Sequence, residues 1–207
     1  MIQAFITGLT LGLGSGAAPG PLTGMAITTT MRSGRQAGFR IAVAPLISDT
    51  IIIILAITVV SNVPERGVQI LGLAGAAVVA FFGFETLWSA RKAEPPTSGN
   101  ERTPHWLDRF SPLLQGAVVN FLNPAPWIFW ITAGSTLLIE YWQSNPVSAI
   151  LFMVTFYVML IGTKLAIVIG LAATRHRMSR AVYRGILYAS GGLLLVAALL
   201  LLMTNLS

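Results

Sequence analysis

Six long apolar stretches follow one another along this chain, separated by short charged or turn-forming segments. A hydrocarbon core about 30 Å thick needs roughly 20 residues of helix to cross it, and more where the helix is tilted or broken. The stretches run from Ile2 to Thr30, Phe39 to Val60, Val68 to Ser89, Pro112 to Leu138, Pro146 to Ala173 and Gly185 to Thr204. Hydrophobic residues make up 55% of the chain and charged residues 10%, against about 25% charged in a soluble domain. A soluble enzyme, a disordered tail and a secreted disulfide scaffold are excluded. The pattern predicts an all-α integral membrane protein with six transmembrane helices. Without cysteine there is no disulfide framework or thiolate metal site. No Lys or Arg precedes the first apolar run, which therefore reads as a retained span rather than a cleaved leader.

A net charge of +6 invites comparison with nucleic-acid binders, but its placement points to a membrane instead. Arg32, Arg35 and Arg40 follow the first span, and Arg91, Lys92, Arg102 and Arg109 follow the third. Arg175, Arg177, Arg180 and Arg184 follow the fifth, whereas the second loop holds only Arg66 and the fourth holds no Lys or Arg. Cytoplasmic loops collect Lys and Arg. Loops 31–38, 91–111 and 174–184 are therefore expected in the cytoplasm and both termini outside. Tyr141 and Trp142 suit aromatic anchors at the outer face, and the Arg175–Arg184 cluster suits contact with anionic membrane lipids. No nucleic-acid partner is expected.

Residues 93–110 form the one hydrophilic linker, with Glu94-Pro95-Pro96-Thr97-Ser98-Gly99-Asn100 as its turn-forming centre. It divides the chain into residues 1–92 and 111–207, each holding three spans. Two halves with an odd number of spans would be inverted in the membrane, a recurring plan of secondary transporters.

The first span of each half is interrupted by paired prolines. Pro19-Gly20-Pro21 lies two-thirds along the first, and Asn123-Pro124-Ala125-Pro126 lies near the middle of the fourth. Proline lacks an N–H and clashes with the preceding turn. Backbone groups freed at membrane depth are tolerated where protein buries them or a wet cavity faces them. Paired breaks in corresponding spans point to a substrate site; the plainer reading is a simple kink in each helix.

Asp49 falls at the centre of the second span and Lys164 just cytoplasmic of the centre of the fifth. A lone carboxylate at that depth costs about 2.5–3.5 kcal/mol on insertion scales, so it requires a partner, water or a proton. An ion pair between the two is one expectation. Structural glue, or a Lys164 that snorkels to the cytoplasmic side, is the other. Ser48 and Thr50 flank the acid, and Pro45 one turn earlier frees a carbonyl near it. Glu85, close to Arg91 and Lys92, reads as a helix-end carboxylate reaching the interface.

Gly8, Gly12, Gly16 and Gly20 recur every four residues, and Gly72, Ala76 and Ala80 repeat the pattern. Small residues at this spacing let helices approach closely. Gly14-Ser15-Gly16 resembles an intramembrane protease loop, yet His105 and His176 both fall in cytoplasmic loops. No buried base is available to a nucleophile, and no clustering of acids and histidines suits a transition metal. The chain is not expected to be an enzyme or to carry a cofactor.

Pro19-Gly20-Pro21, the loop Arg32-Ser33-Gly34-Arg35-Gln36-Ala37-Gly38 and Asp49 together resemble the lysine-exporter (LysE/RhtB) family. Gln115-Gly116 and Asn120-Phe121-Leu122-Asn123-Pro124 resemble its fourth-span motif. The resemblance covers nearly the whole chain. It implies a bacterial inner-membrane exporter of amino acids or related metabolites, driven by the proton gradient and often a homodimer. Two departures stand out: Ser48 where the family commonly has glycine, and Ala125-Pro126 where lysine often follows Asn-Pro. Lys164 is the cation placed to compensate.

The expected site lies at the midplane between the two breaks. Half-helix N-termini at Pro19, Gly20, Pro21 and Pro124 would hold a substrate carboxylate. Asp49 would take the substrate ammonium or a proton, Lys164 would balance its charge, and Asn120 and Asn123 would donate amide hydrogen bonds. The rival expectation is a cation or metal-ion exporter of the same superfamily, for which one central carboxylate is a poor cage.

Overall fold

Proline and glycine decide where the helices of this protein stop. The computed structural model describes residues 1–93, 107, 109–173 and 179–206, and the described residues contain helices without strands. The linker sequence 94–100, Arg102, His105, Arg175, His176 and Arg177 lie outside the described residues.

Helix α1 (Ile2–Ala17) ends before Ala18 and Pro19, and α2 (Pro21–Ser33) restarts with Pro21 in its first turn. Gly34 turns the chain into α3 (Arg35–Ala42) with a φ of 84°, a left-handed conformation that glycine adopts without penalty. Helix α4 (Pro45–Val60) follows after a single-turn kink at Val43 and Ala44, so the second apolar stretch is bent where Pro45 removes a donor. Helix α5 (Glu65–Lys92) is an uninterrupted 28 residues.

The second half opens with α6 (Pro112–Leu122), broken at Asn123 and restarted as α7 (Pro124–Phe129). A π-helical turn over Trp130–Gly134 joins it to α8 (Ser135–Ser144). Helix α9 spans Pro146–Ala173 and α10 spans Arg180–Leu206. Among the described residues, four helices are long and apolar enough to cross a membrane: Arg35–Val60, Arg66–Lys92, Pro146–Gly170 and Arg180–Met203. Helices Ile2–Ala17 and Pro112–Leu122 are apolar but shorter, because the double prolines cut them.

Helix α1 lies against α9, α5 lies against α10, and α1 also touches α10. Glycine makes the first contact possible. A methyl group on Gly16 would stand 2.7 Å from the Leu160 carbonyl, and methyls on Gly8 and Gly12 would collide with the backbone of Phe152 and Phe156. Gly20, the fourth member of the stripe, has open space around it; it belongs to the break rather than to the contact. In α5, Gly75 meets a neighbouring backbone, at Ala133.

One surface assignment is corrected. Tyr141 is no interfacial anchor. It is buried and its hydroxyl donates to Thr7 Oγ1 at 3.2 Å, while Trp142 is exposed. Arg184 reaches the backbone carbonyls of Ala90 and Arg91, capping the C-terminal end of α5, where cations are favoured.

Candidate functional site

The two helix breaks, Asp49 and Lys164 share the wall of one cavity of about 330 Å³. Ala18, Pro19, Gly20 and Pro21 enter it from the first break, and Asn123, Ala125 and Pro126 from the second. Pro124 begins α7 but does not line the cavity. Leu11, Val79, Phe82, Phe129, Phe156 and Leu160 supply the apolar wall.

Each break is stitched by side chains. In the first, Lys164 donates to the Gly16 carbonyl at 3.2 Å and to Thr23 Oγ1 at 2.9 Å. Thr23 in turn donates to the Ala18 carbonyl at 3.1 Å, and Ser190 donates to the Gly14 carbonyl at 2.6 Å. A cation at a helix C-terminus opposes the partial negative charge there. In the second break, the Trp127 indole donates to the Phe121 carbonyl at 2.7 Å. Asn123 Oδ1 accepts from the Ala125 N–H at 3.1 Å, the side-chain cap expected of Asn at a helix start. Asn123 therefore spends its carbonyl on α7.

The two N-termini at the breaks consequently differ. Helix α7 is six residues long and already capped. Helix α2 begins at an extended Gly20, and no side chain caps it. The first N–H groups of a helix have no partner within it, and Leu22 and Thr23 of this turn line the cavity.

Asp49 is 4% exposed. Its carboxylate accepts from the Asn120 amide at 2.6 Å and from the Tyr157 hydroxyl at 3.2 Å, with the Trp130 side chain beside it. Asn120 also reaches Ser48 Oγ at 2.8 Å. Ser48 in turn donates to the Ala44 carbonyl at 3.3 Å, next to the α3–α4 kink.

Lys164 is 6% exposed, so it is enclosed rather than extended toward a membrane face. Asp49 and Lys164 face the same cavity on separate hydrogen-bond partners in place of the direct ion pair that was one expectation. Two of the three ammonium protons are engaged, which leaves donor capacity at the cavity. Glu85 also lines the cavity, from an exposed position.

Tyr157, Thr23 and Trp130 escaped the reading of the sequence. Tyr157 lies two turns before Lys164, a spacing that places both on one helix face. The signal was there, unread, because an aromatic residue in an apolar span is ordinary.

A family model described as LysE type translocator matches residues 15–205. Comparison with curated proteins and with solved structures returned no match.

Proposed function

We propose, from the premise that the chain belongs to the LysE type translocator family and is a multi-pass membrane transporter, that it exports amino acids or related small metabolites by exchange with protons. The observation that carries this reading is one cavity presenting a carboxylate, an ammonium and an uncapped helix N-terminus together. A zwitterion needs opposite charges a few ångströms apart. Here Asp49 accepts the substrate ammonium or a proton. Lys164 and the first turn of α2 hold the substrate carboxylate. Asn120 positions Asp49, while Pro19, Gly20, Pro21 and Pro124 keep the helices open, and Asn123 fixes the start of α7.

The cycle alternates two occupants of one carboxylate. A substrate ammonium displaces the proton on the loading side, and a proton displaces the ammonium on the release side. Asn120 and Tyr157 donate to Asp49 while it is ionised, which limits the cost of that state in a low-dielectric interior.

Six crossings in two inverted halves, residues 1–92 and 111–207 joined by 93–110, are supported by the pairing of helices. Inversion equates the first span with the fourth, the second with the fifth and the third with the sixth. The α1–α9 contact then corresponds to α6 against α3 and α4, and the α5–α10 contact maps onto itself. All of these contacts are present. The orientation follows the basic loops, with both termini outside a bacterial inner membrane. Membrane lipids are the surrounding partners, and a homodimer is the assembly the family implies.

Purified protein in liposomes loaded with a mixture of standard amino acids tests the reading. An outwardly directed substrate flux that collapses with the pH gradient is expected. A flux indifferent to the gradient, or none for any amino acid, overturns it.

A further inference from the structure

Two carboxylates line the cavity, Asp49 and Glu85, and the exchange mechanism uses only the first. The faces of α5 explain where the second one stands. Val79, Phe82 and Thr86, spaced three and four residues apart, line the cavity, and such spacing puts residues on one helix face. Phe81, Phe84 and Trp88 repeat the spacing on the outward face and are exposed. Gly83 and Leu87 face α10, where a methyl group on Gly191 would stand 2.7 Å from Leu87. Glu85 occupies the remaining seam, between the cavity stripe and the outward stripe.

That seam is also where the cavity opens. Of the residues in its wall, Gly20, Pro21 and Glu85 are exposed, whereas Asp49 and Lys164 are buried. A solute entering there meets Glu85 before it meets Asp49. No cation answers Glu85 at the opening. Lys164 is held on Gly16 and Thr23, Arg91 and Lys92 do not line the cavity, and no ion pair to Glu85 occurs among the described residues. Glu85 lies seven residues before Lys92, about 10 Å of helix rise, so it sits inside the span rather than at its end. A carboxylate at such depth faces a wet cavity and marks a solute pathway. One sign of charge at the entrance of an apolar-walled cleft gathers solutes of the opposite sign and repels its own.

We infer that Glu85 is the charge filter of this opening: it takes the solute's ammonium ahead of Asp49 and turns away solutes that carry a second carboxylate. The identity of the solute rests on the transport reading, while the cation preference of the opening is measurable without it. The contact with Glu85 is made on loading and given up before the exchange at Asp49. Its loss therefore weakens capture and spares the maximal rate.

The chain has no cysteine, so Gly20→Cys sets a single thiol in open space at the rim. Purified protein in detergent is treated with a cationic and an anionic methanethiosulfonate of similar size. The ratio of the two rates cancels the thiol's own reactivity and reads the local charge. Adding Glu85→Gln should lower the cation-to-anion ratio roughly tenfold. Glu140→Gln makes the same charge change at an exposed residue outside the cavity wall and should leave the ratio within about twofold. Glu85→Asp should preserve it, and Glu85→Ala replaces Glu85→Gln if the latter does not fold. In liposomes, Glu85→Gln should raise the half-saturating concentration of a neutral amino-acid mixture roughly fivefold at unchanged maximal rate, and should let glutamate compete. An unchanged rate ratio overturns the filter whether or not the protein transports. A ratio that falls in protein without amino-acid flux overturns the transport reading and leaves the cation-selective opening standing. A ratio that falls beside wild-type saturation and continued exclusion of glutamate overturns the loading role of Glu85.

Discussion

Asn120 and Asp49, 71 residues apart in sequence and on opposite halves of the chain, meet through a 2.6 Å hydrogen bond. The Asn120 amide of α6 is thereby the fixed support of the Asp49 carboxylate of α4. Removing it leaves Asp49 buried with one donor fewer. Asn120→Ala is expected to lower stability by about 1–3 kcal/mol and to reduce efflux at least tenfold. Thermal melting and liposome flux, measured on the same preparation, check both numbers; undiminished flux would detach Asn120 from the site.

Asp49→Asn keeps the size of the side chain and removes its charge and its proton. Efflux driven by a pH gradient should vanish, while the protein should express and melt close to wild type. Downhill exchange of one amino acid for another is the informative companion assay. If gradient-driven efflux survives in this variant, proton coupling lies elsewhere.

Lys164→Met tests a residue with two duties. It strips the Gly16 carbonyl of its donor and the cavity of its cation, so both Tm and flux should fall. Lys164→Arg restores charge but not the fit to a carbonyl at 3.2 Å and a hydroxyl at 2.9 Å, since guanidinium is planar and larger than ammonium. The arginine variant should therefore recover part of the stability lost in Lys164→Met and little of the flux. Full recovery of transport by arginine would show that charge alone suffices.

Gly12→Ala and Gly20→Ala separate packing from break geometry. The first places a methyl group against the Phe156 carbonyl, and the second meets nothing within 4 Å. Gly12→Ala should cost about 1–3 kcal/mol, the range for overpacking. Gly20 has φ −178°, extended backbone open to any residue, so its alanine variant should melt within about 0.5 kcal/mol of wild type. Equal losses in the two variants would contradict this assignment of the stripe.

Much of the architecture was legible because proline, glycine and charge act locally. Pro19 and Pro21 break the first helix wherever it packs, and Pro124 with Pro126 break the fourth; the limits of α9 at Pro146 and Ala173 match the reading to the residue. The burial of Asp49 followed from its depth in an apolar stretch. What stayed hidden depends on long-range contact. Nothing in the sequence marks Lys164 as the donor to Gly16, Tyr141 as a core residue rather than an anchor, or Trp130 as the start of a π turn. The Asn120–Asp49 bond was equally silent, although both residues had been singled out separately.

Lys164 is tied to main chain and to Thr23, so its positive charge stays with the scaffold. If one proton enters for each zwitterion that leaves, the zwitterion carries no net charge and the proton carries one. Every turnover then moves a single elementary charge inward, and membrane voltage would contribute about 2.3 kcal/mol per 100 mV to accumulation outside. Such a protein works as a generator of current, measurable with an electrode, even where the two compartments share the same acidity.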